Sequence, residues 1–144
     1  MYEKILVALD ASEADQSLLP HIALLAAIHH SHLVLVHVAE GWVARQFNAL
    51  LLKESEEMIK DREYLEEAAN QLRAQGLDVS TILAWGEPAQ EILNIAGQEK
   101  CDLIAMASHG HQFLADLFLG SAIEEVRHRS SIPILVVKKF EKSS

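Results

Sequence analysis

The chain holds a single cysteine, Cys101, so no disulfide can close within it. That usage suits a reducing compartment, and a cytoplasmic location is the expectation. Cys101 precedes an apolar run and reads as a small, partly buried residue, not a reactive thiol. Basic residues are scarce: 12 Lys and Arg face 21 Asp and Glu, a formal net charge of −9 at pH 7. A nucleic-acid surface would show a basic patch, so no nucleic-acid partner is expected. An anionic ligand would need local donors, not bulk charge. Long apolar runs are missing too. None approaches the ~20 residues of a membrane-spanning helix, so no membrane insertion is expected. Met1-Tyr2-Glu3-Lys4 leads straight into a strand-like run, without the basic segment, apolar stretch and cleavage site of a signal peptide. Catalytic signatures are lacking as well: there is no Gly-x4-Gly-Lys-Ser/Thr loop, no paired-carboxylate spacing and no Ser-His-Asp order. Ser108, His109 and Asp116 are close in sequence but without the nucleophile-elbow pattern.

What is present is an alternation. Half of the 144 residues are hydrophobic, enough for one domain, residues 1–144, with its own core. Lys4 to Leu9 is a short continuous apolar run, as expected of a strand covered on both faces. Ser12 is a candidate N-cap for a helix to about His30, with Leu18, Ile22, Leu25 and Ala26 at helical spacing and Pro20 expected to kink it. Leu33 to Val38 reads as a second buried strand. Helical spacing then runs from about Arg45 to Gln75, and Gly76 fits the position that ends a helix. Leu77 to Ala84 is a third strand, less uniformly apolar, as an edge strand would be. Trp85-Gly86-Glu87-Pro88 reads as a turn, with Pro88 opening a helix to about Glu99. Asp102 to Ala107, a helix to about Arg129, and Ile134 to Val137 after Pro133 complete the pattern. Strands alternating with helices imply right-handed crossovers and a parallel sheet clothed on both faces.

Ligands of such sheets bind beyond the carboxyl ends of the strands, where the strand order reverses. Asp10, Val38 and Ala107 to Gly110 follow three of those ends. The last continues through nine residues, His111 to Leu119, into Gly120-Ser121-Ala122. Ser121, with Glu124 three residues on, has capping-box spacing, which predicts a helix starting there. Unpaired N–H groups and the peptide dipoles at a helix start favour phosphate.

These pieces resemble the universal stress protein family over Lys4 to Lys138. The resemblance is carried by Ile5-Leu6-Val7-Ala8-Leu9-Asp10-Ala11-Ser12, His37-Val38, Gly86-Glu87-Pro88, Asp102-Leu103-Ile104, Leu119-Gly120-Ser121 and Pro133-Ile134-Leu135-Val136-Val137. It implies a single open, twisted five-stranded parallel sheet, order 3-2-1-4-5, with helices on both faces, a Rossmann-like α/β fold of the adenine nucleotide alpha hydrolase type. Nucleotide-binding members of that family carry Gly, two residues, Gly, nine residues, then Gly followed by Ser or Thr. Gly110, Gly120 and Ser121 match, and Ala107 replaces the first glycine. The resemblance implies ATP or AMP as ligand, with Mg as a companion ion. Asp10 would contact ribose or adenine, Ala8 and Leu9 would line the adenine side, and Val38 would meet adenine through its backbone. Met106 and Ala107 would lie under the ribose. The N–H groups of Gly110, Gly120, Ser121 and Ala122 would hold the phosphates, helped by the Ser121 hydroxyl.

The methyl of Ala107 would stand where the backbone nears the ribose, and alanine forbids the positive φ that glycine allows. Asp10 has a second reading, as a strand-ending residue bonded to nearby backbone N–H groups. His109 and His111 flank Gly110 and would touch phosphate or simply be solvated. His29, His30 and His32 suit the helix dipole, and no pattern of cysteines or carboxylates accompanies them to make a metal site. His37 reads as a half-buried strand residue. Trp42 and Trp85 would cover a crevice or pack over a sheet edge. The resemblance also suggests a homodimer through the apolar edge strand Ile134 to Val137. Three functions follow: a nucleotide-binding regulatory module acting in stress response on an unidentified protein partner, a dimeric interaction protein without nucleotide, and, last, a slow ATPase.

Overall fold

The computed structural model describes residues 1–40, 51–108 and 116–139. Trp42 and the start expected for the second helix, 45–50, lie outside the described residues. Strand β1 (Lys4–Leu9) leads through α1 (Asp15–His29) to β2 (His32–Glu40), then α2 (Leu51–Arg73) and β3 (Asp78–Gly86). Helix α3 (Pro88–Gln98), β4 (Leu103–Ser108), α4 (Asp116–Arg129) and β5 (Ile134–Lys138) complete the chain. The sheet has the order β3-β2-β1-β4-β5, and every neighbouring pair is parallel.

The helices divide the sheet's two faces between them. Ile5, Val7 and Leu9 of β1 join Leu33 and Leu35 of β2 and Ala105 and Ala107 of β4 in one core. Leu18, Ile22 and Ala26 of α1 and Leu65, Ala69 and Leu72 of α2 cover it. The alternate residues Leu6, Ala8, Val34, Val36, Ile104 and Met106 form the opposite core under Ile92 and Ile95 of α3 and Ala122 and Val126 of α4. Since successive strand side chains point to opposite faces, the continuous apolar runs are what a strand buried on both sides requires.

Element ends follow local chemistry. Gly76 has φ +88°, and its N–H and that of Leu77 bond the Arg73 and Leu72 carbonyls at 2.9 and 3.3 Å, closing α2 as read from the sequence. Glu87 caps α3, accepting from the Ala89 and Gln90 N–H groups at 3.3 and 2.8 Å, with Pro88 in the first turn.

Among the boundaries that differ from the sequence reading, three have a clear physical reason. Strand β3 continues through Trp85 and Gly86, because β2 extends to Glu40 and pairs Ala39 with Trp85 and Glu40 with Gly86. Helix α1 begins at Asp15 behind Ala14, whose helical backbone carries no side-chain cap. Ser12 is instead drawn into a turn by Asp10. Helix α4 begins at Asp116, so Ser121 is not its N-cap. An interior glycine such as Gly120 costs a helix only ~1 kcal/mol.

Ile92 is 1% exposed and Ile28 73% exposed. Ile92→Ala should lower unfolding free energy by ~2–5 kcal/mol in urea titration, whereas Ile28→Ala should stay within ~0.5 kcal/mol of wild type.

Candidate nucleotide crevice

The strand order reverses between β1 and β4. Their carboxyl ends are adjacent, with Ala8 paired to Met106 and Leu9 to His37 on the other side. Crossovers leave these two ends in opposite directions, which opens a crevice above the sheet. Asp10, directly after β1, stands at this end.

Asp10 Oδ1 accepts from the Ser12 N–H at 3.0 Å and from its hydroxyl at 2.5 Å. The Ser12 hydroxyl oxygen in turn accepts from the Ala14 N–H at 3.2 Å. The strand-ending role read for Asp10 is therefore present. Between Asp10 and Ser12 the chain passes through Ala11 at φ +61°, a left-handed conformation that L-residues seldom adopt.

A second carboxylate holds that turn from below. Asp15 is 1% exposed and accepts from the Asp10 and Ala11 N–H groups at 3.2 and 2.9 Å. The Tyr64 hydroxyl of α2 donates to it at 2.5 Å. Burial raises the Asp15 carboxyl from 3.8 to about 6; the Tyr64 bond opposes the rise and the neighbouring Asp10 charge adds to it. Burial likewise pushes the Tyr64 phenol up, reinforced by its bond to Asp15.

His37 ties β1 to α2 nearby. Its Nδ1 lies 3.0 Å from the Leu9 carbonyl. A carbonyl only accepts, so Nδ1 carries the proton, and Nε2 turns toward Asp61 of α2 at 3.7 Å. Across the crevice, the Lys139 N–H donates to the Ser108 carbonyl at 2.7 Å, and its ammonium pairs with Glu13 of the β1–α1 turn at 2.9 Å.

The other expected residues distribute as follows. Leu9 and Ala107 belong to the core under α1 and α2, and Ala8, Val38, Met106 and Ala122 to the core under α3 and α4. Met106 is fully buried, so its side chain presents no surface at this end of the sheet. Ala107 differs from expectation. It pairs with Val137 within β4, is absent from the residues of positive φ, and packs its methyl into the core. The position makes no demand there that only glycine meets.

Gly120, Ser121 and Ala122 are the fifth to seventh residues of α4. Their N–H groups face carbonyls one turn back and are not the unpaired donors of a helix start, which belong to the first turn. His109, Gly110 and His111 lie outside the described residues, as does the side chain of Ser121. Among the described residues no three His, Cys, Asp or Glu side chains converge as metal ligands. His29 packs edge-on against Tyr2, while His32 bonds Asp78 and Ser80. No helix among them is long and apolar enough to cross a membrane. Burial pushes the Cys101 thiol up to about 11, against thiolate chemistry.

Asp15, Tyr64, Asp61, Glu13 and Lys139 were not read from the sequence. The Asp10–Asp15 spacing was the one visible signal. Tyr64 and Lys139 reach this end only through tertiary packing.

A doubly wound parallel sheet of this strand order, with helices on both faces, defines a class of α/β proteins. Within that class the universal stress protein family model matches residues 1–138, and the chain belongs to this family. Universal stress protein MJ0577 of Methanocaldococcus jannaschii is 33% identical over 157 residues, covering 96% of each chain. The solved structure of MJ0577 superimposes with a TM-score of 0.77 over 99% of both chains. Two further solved universal stress proteins share the fold. One was crystallised with cAMP, at 22% identity, TM-score 0.68 and 96% and 98% coverage. The other, from Archaeoglobus fulgidus, was crystallised with dAMP, at 20% identity, TM-score 0.71 and 95% and 98% coverage.

Asp15 generates a pH-dependent prediction. Its folded pKa of about 6 lies above its ordinary 3.8, so its contribution to stability is complete below 3.8 and is lost as pH rises through about 6. The stability of wild type relative to Asp15→Asn should therefore grow by about 1 kcal/mol between about pH 7.5 and about pH 5. Urea unfolding at the two pH values checks this, and a flat difference contradicts it.

Proposed function

We propose that this protein is a cytoplasmic regulatory module of the stress response that binds an adenine nucleotide, ATP or AMP, in the β1/β4 crevice. The observation that carries the reading is the placement of Asp10 at the switch point of a universal stress protein sheet. It is supported by the two relatives crystallised with adenine nucleotides. Asp10 would accept from the ribose hydroxyls or adenine, and Ala8, Leu9 and Val38 would border the base. Met106 and Ala107 would floor the ribose. The phosphates would meet the Gly110 loop, with His109 and His111, and the N-terminal turn of α4 that leads to Gly120 and Ser121. Mg would travel with the phosphates rather than with a protein ligand set. No catalytic group is assigned, and hydrolysis, if any, is slow. The engaged N–H groups of Gly120 to Ala122 favour one alternative, an interaction protein of the same fold that binds no nucleotide.

Acid extraction of protein purified from cells, with calorimetry using ATP and AMP, tests the reading. Binding is expected, weakened about tenfold by Asp10→Ala, the range for losing hydrogen bonds to a charged group. No extracted nucleotide and no binding heat would overturn it.

A homodimer through β5 belongs to the same proposal. Among the described residues strand β5 pairs only with β4, and Val136 on it is 40% exposed, so this edge invites a second copy. Light scattering should give a dimer at micromolar concentration, and Val136→Lys should shift it toward monomer.

A further inference from the structure

We propose that Asp15 and Tyr64 are positioning residues for the crevice: together they lock the turn that carries Asp10 onto α2, so that the Asp10 carboxylate is held in place from that helix. The inference rests on the nucleotide reading for its consequence, but the lock stands on geometry alone.

That geometry is specific. Asp15 is fully enclosed and takes three donors, the Asp10 N–H, the Ala11 N–H and the Tyr64 hydroxyl. Three donors converging on one side chain demand an acceptor-only partner, which a carboxylate is and a carboxamide or carboxylic acid is not. The turn so held includes Ala11 in the left-handed region, a conformation that persists only where its surroundings enforce it. Asp15 holds the N–H groups of the peptides before and after Asp10, and the Asp10 carboxylate holds the Ser12 N–H beyond Ala11, so the peptides on both sides of Ala11 are fixed. Tyr64 then joins the arrangement to α2, three residues after Asp61, which faces His37 and through it the Leu9 carbonyl. Two contacts from adjacent turns of α2 thus grip the end of β1.

The lock also contains a proton-sensitive element. Asp10 faces Asp15 from the turn, Tyr64 faces it from α2, and Glu67 of α2 bears on Tyr64. A proton taken up by Asp15 must be donated to something. The backbone N–H groups around it only donate, and the acceptors beside it are the Tyr64 hydroxyl oxygen and the Asp10 carboxylate, so a proton given to either replaces a contact of the ionised lock and loosens the turn that carries Asp10. Ligand affinity should then fall as pH drops through the Asp15 transition. Removing the Tyr64 hydroxyl, which favours the ionised form, should move that fall to higher pH.

The test uses the full chain as wild type and as Tyr64→Phe, which keeps the ring and its packing. Amide hydrogen exchange without ligand should be about tenfold faster at Asp10 and Ala11 in the variant, with Ile5 to Val7 of β1 unchanged. The Kd for ATP should rise about fivefold at about pH 7.5, and the pH at which it rises further should lie above that of wild type. Measuring both proteins side by side cancels the titration of the nucleotide's own phosphate. Unchanged exchange at Asp10 and Ala11, or an equal increase throughout β1, overturns the lock. Faster exchange with an unchanged Kd and pH profile overturns its role in positioning. If wild type binds no ATP, the nucleotide reading fails while exchange at Asp10 and Ala11 still decides the lock.

Discussion

Strand β1 has core on both faces, and the arrangement of the crevice depends on that constraint. Ile5, Val7 and Leu9 are committed to the core under α1 and α2, and Leu6 and Ala8 to the core under α3 and α4. Sliding the strand by one residue would exchange the two sets and break both cores at once. Its register against β2 and β4 is thereby determined, and with it the height at which Asp10 emerges beyond the sheet. Asp102 reinforces the register at the opposite end, where its carboxylate accepts from the Glu3 and Lys4 N–H groups at 3.0 and 3.2 Å.

Above that rigid layer the polar groups pair in a graded way. Asp10 is bonded within its own turn, Asp15 is buried beneath it, and His37 spans from the β1 carbonyl to α2. A buried carboxylate costs free energy unless donors surround it. Here the donors come from the turn and from α2 and offset the cost of keeping Asp15 ionised only in part, which is why its carboxyl is raised to about 6, and even that part is lost if the two elements separate. The acidic character of the chain sharpens this point. With a net charge of −9, there is no general surplus of cations to neutralise the cluster, and Lys139 is spent on Glu13 at the edge of the same turn.

Within the universal stress protein family, Ala107 in the glycine-rich signature is a smaller departure than it first looks. The residue is an ordinary strand position whose methyl contributes to the core. More consequential is the early start of α4, which places Gly120, Ser121 and Ala122 inside a helix. The N–H groups left without a helical partner belong to the first turn of such a helix, not to the glycine that the spacing singles out.

The alternation of apolar runs with helical stripes was sufficient to read five strands, four helices and their succession, because burial on both faces leaves a period visible without knowledge of partners. The order 3-2-1-4-5 came from family resemblance, and Asp10 from the strand that ends there. Pro88 and Gly76 were legible because a fixed φ and a positive φ act on the residue itself, whereas the capping role of Glu87 came from the structure. Ser12 and Ser121 misled: each has local capping chemistry, yet Asp10 captured the first and a helix already under way contains the second. What tertiary structure alone decided is the assembly around Asp15. Its partner Tyr64 is 49 residues away on a helix whose stripe predicts only that it packs. No local pattern states that one phenol on that helix meets one carboxylate below the crevice, because the meeting depends on how both helices settle on the sheet.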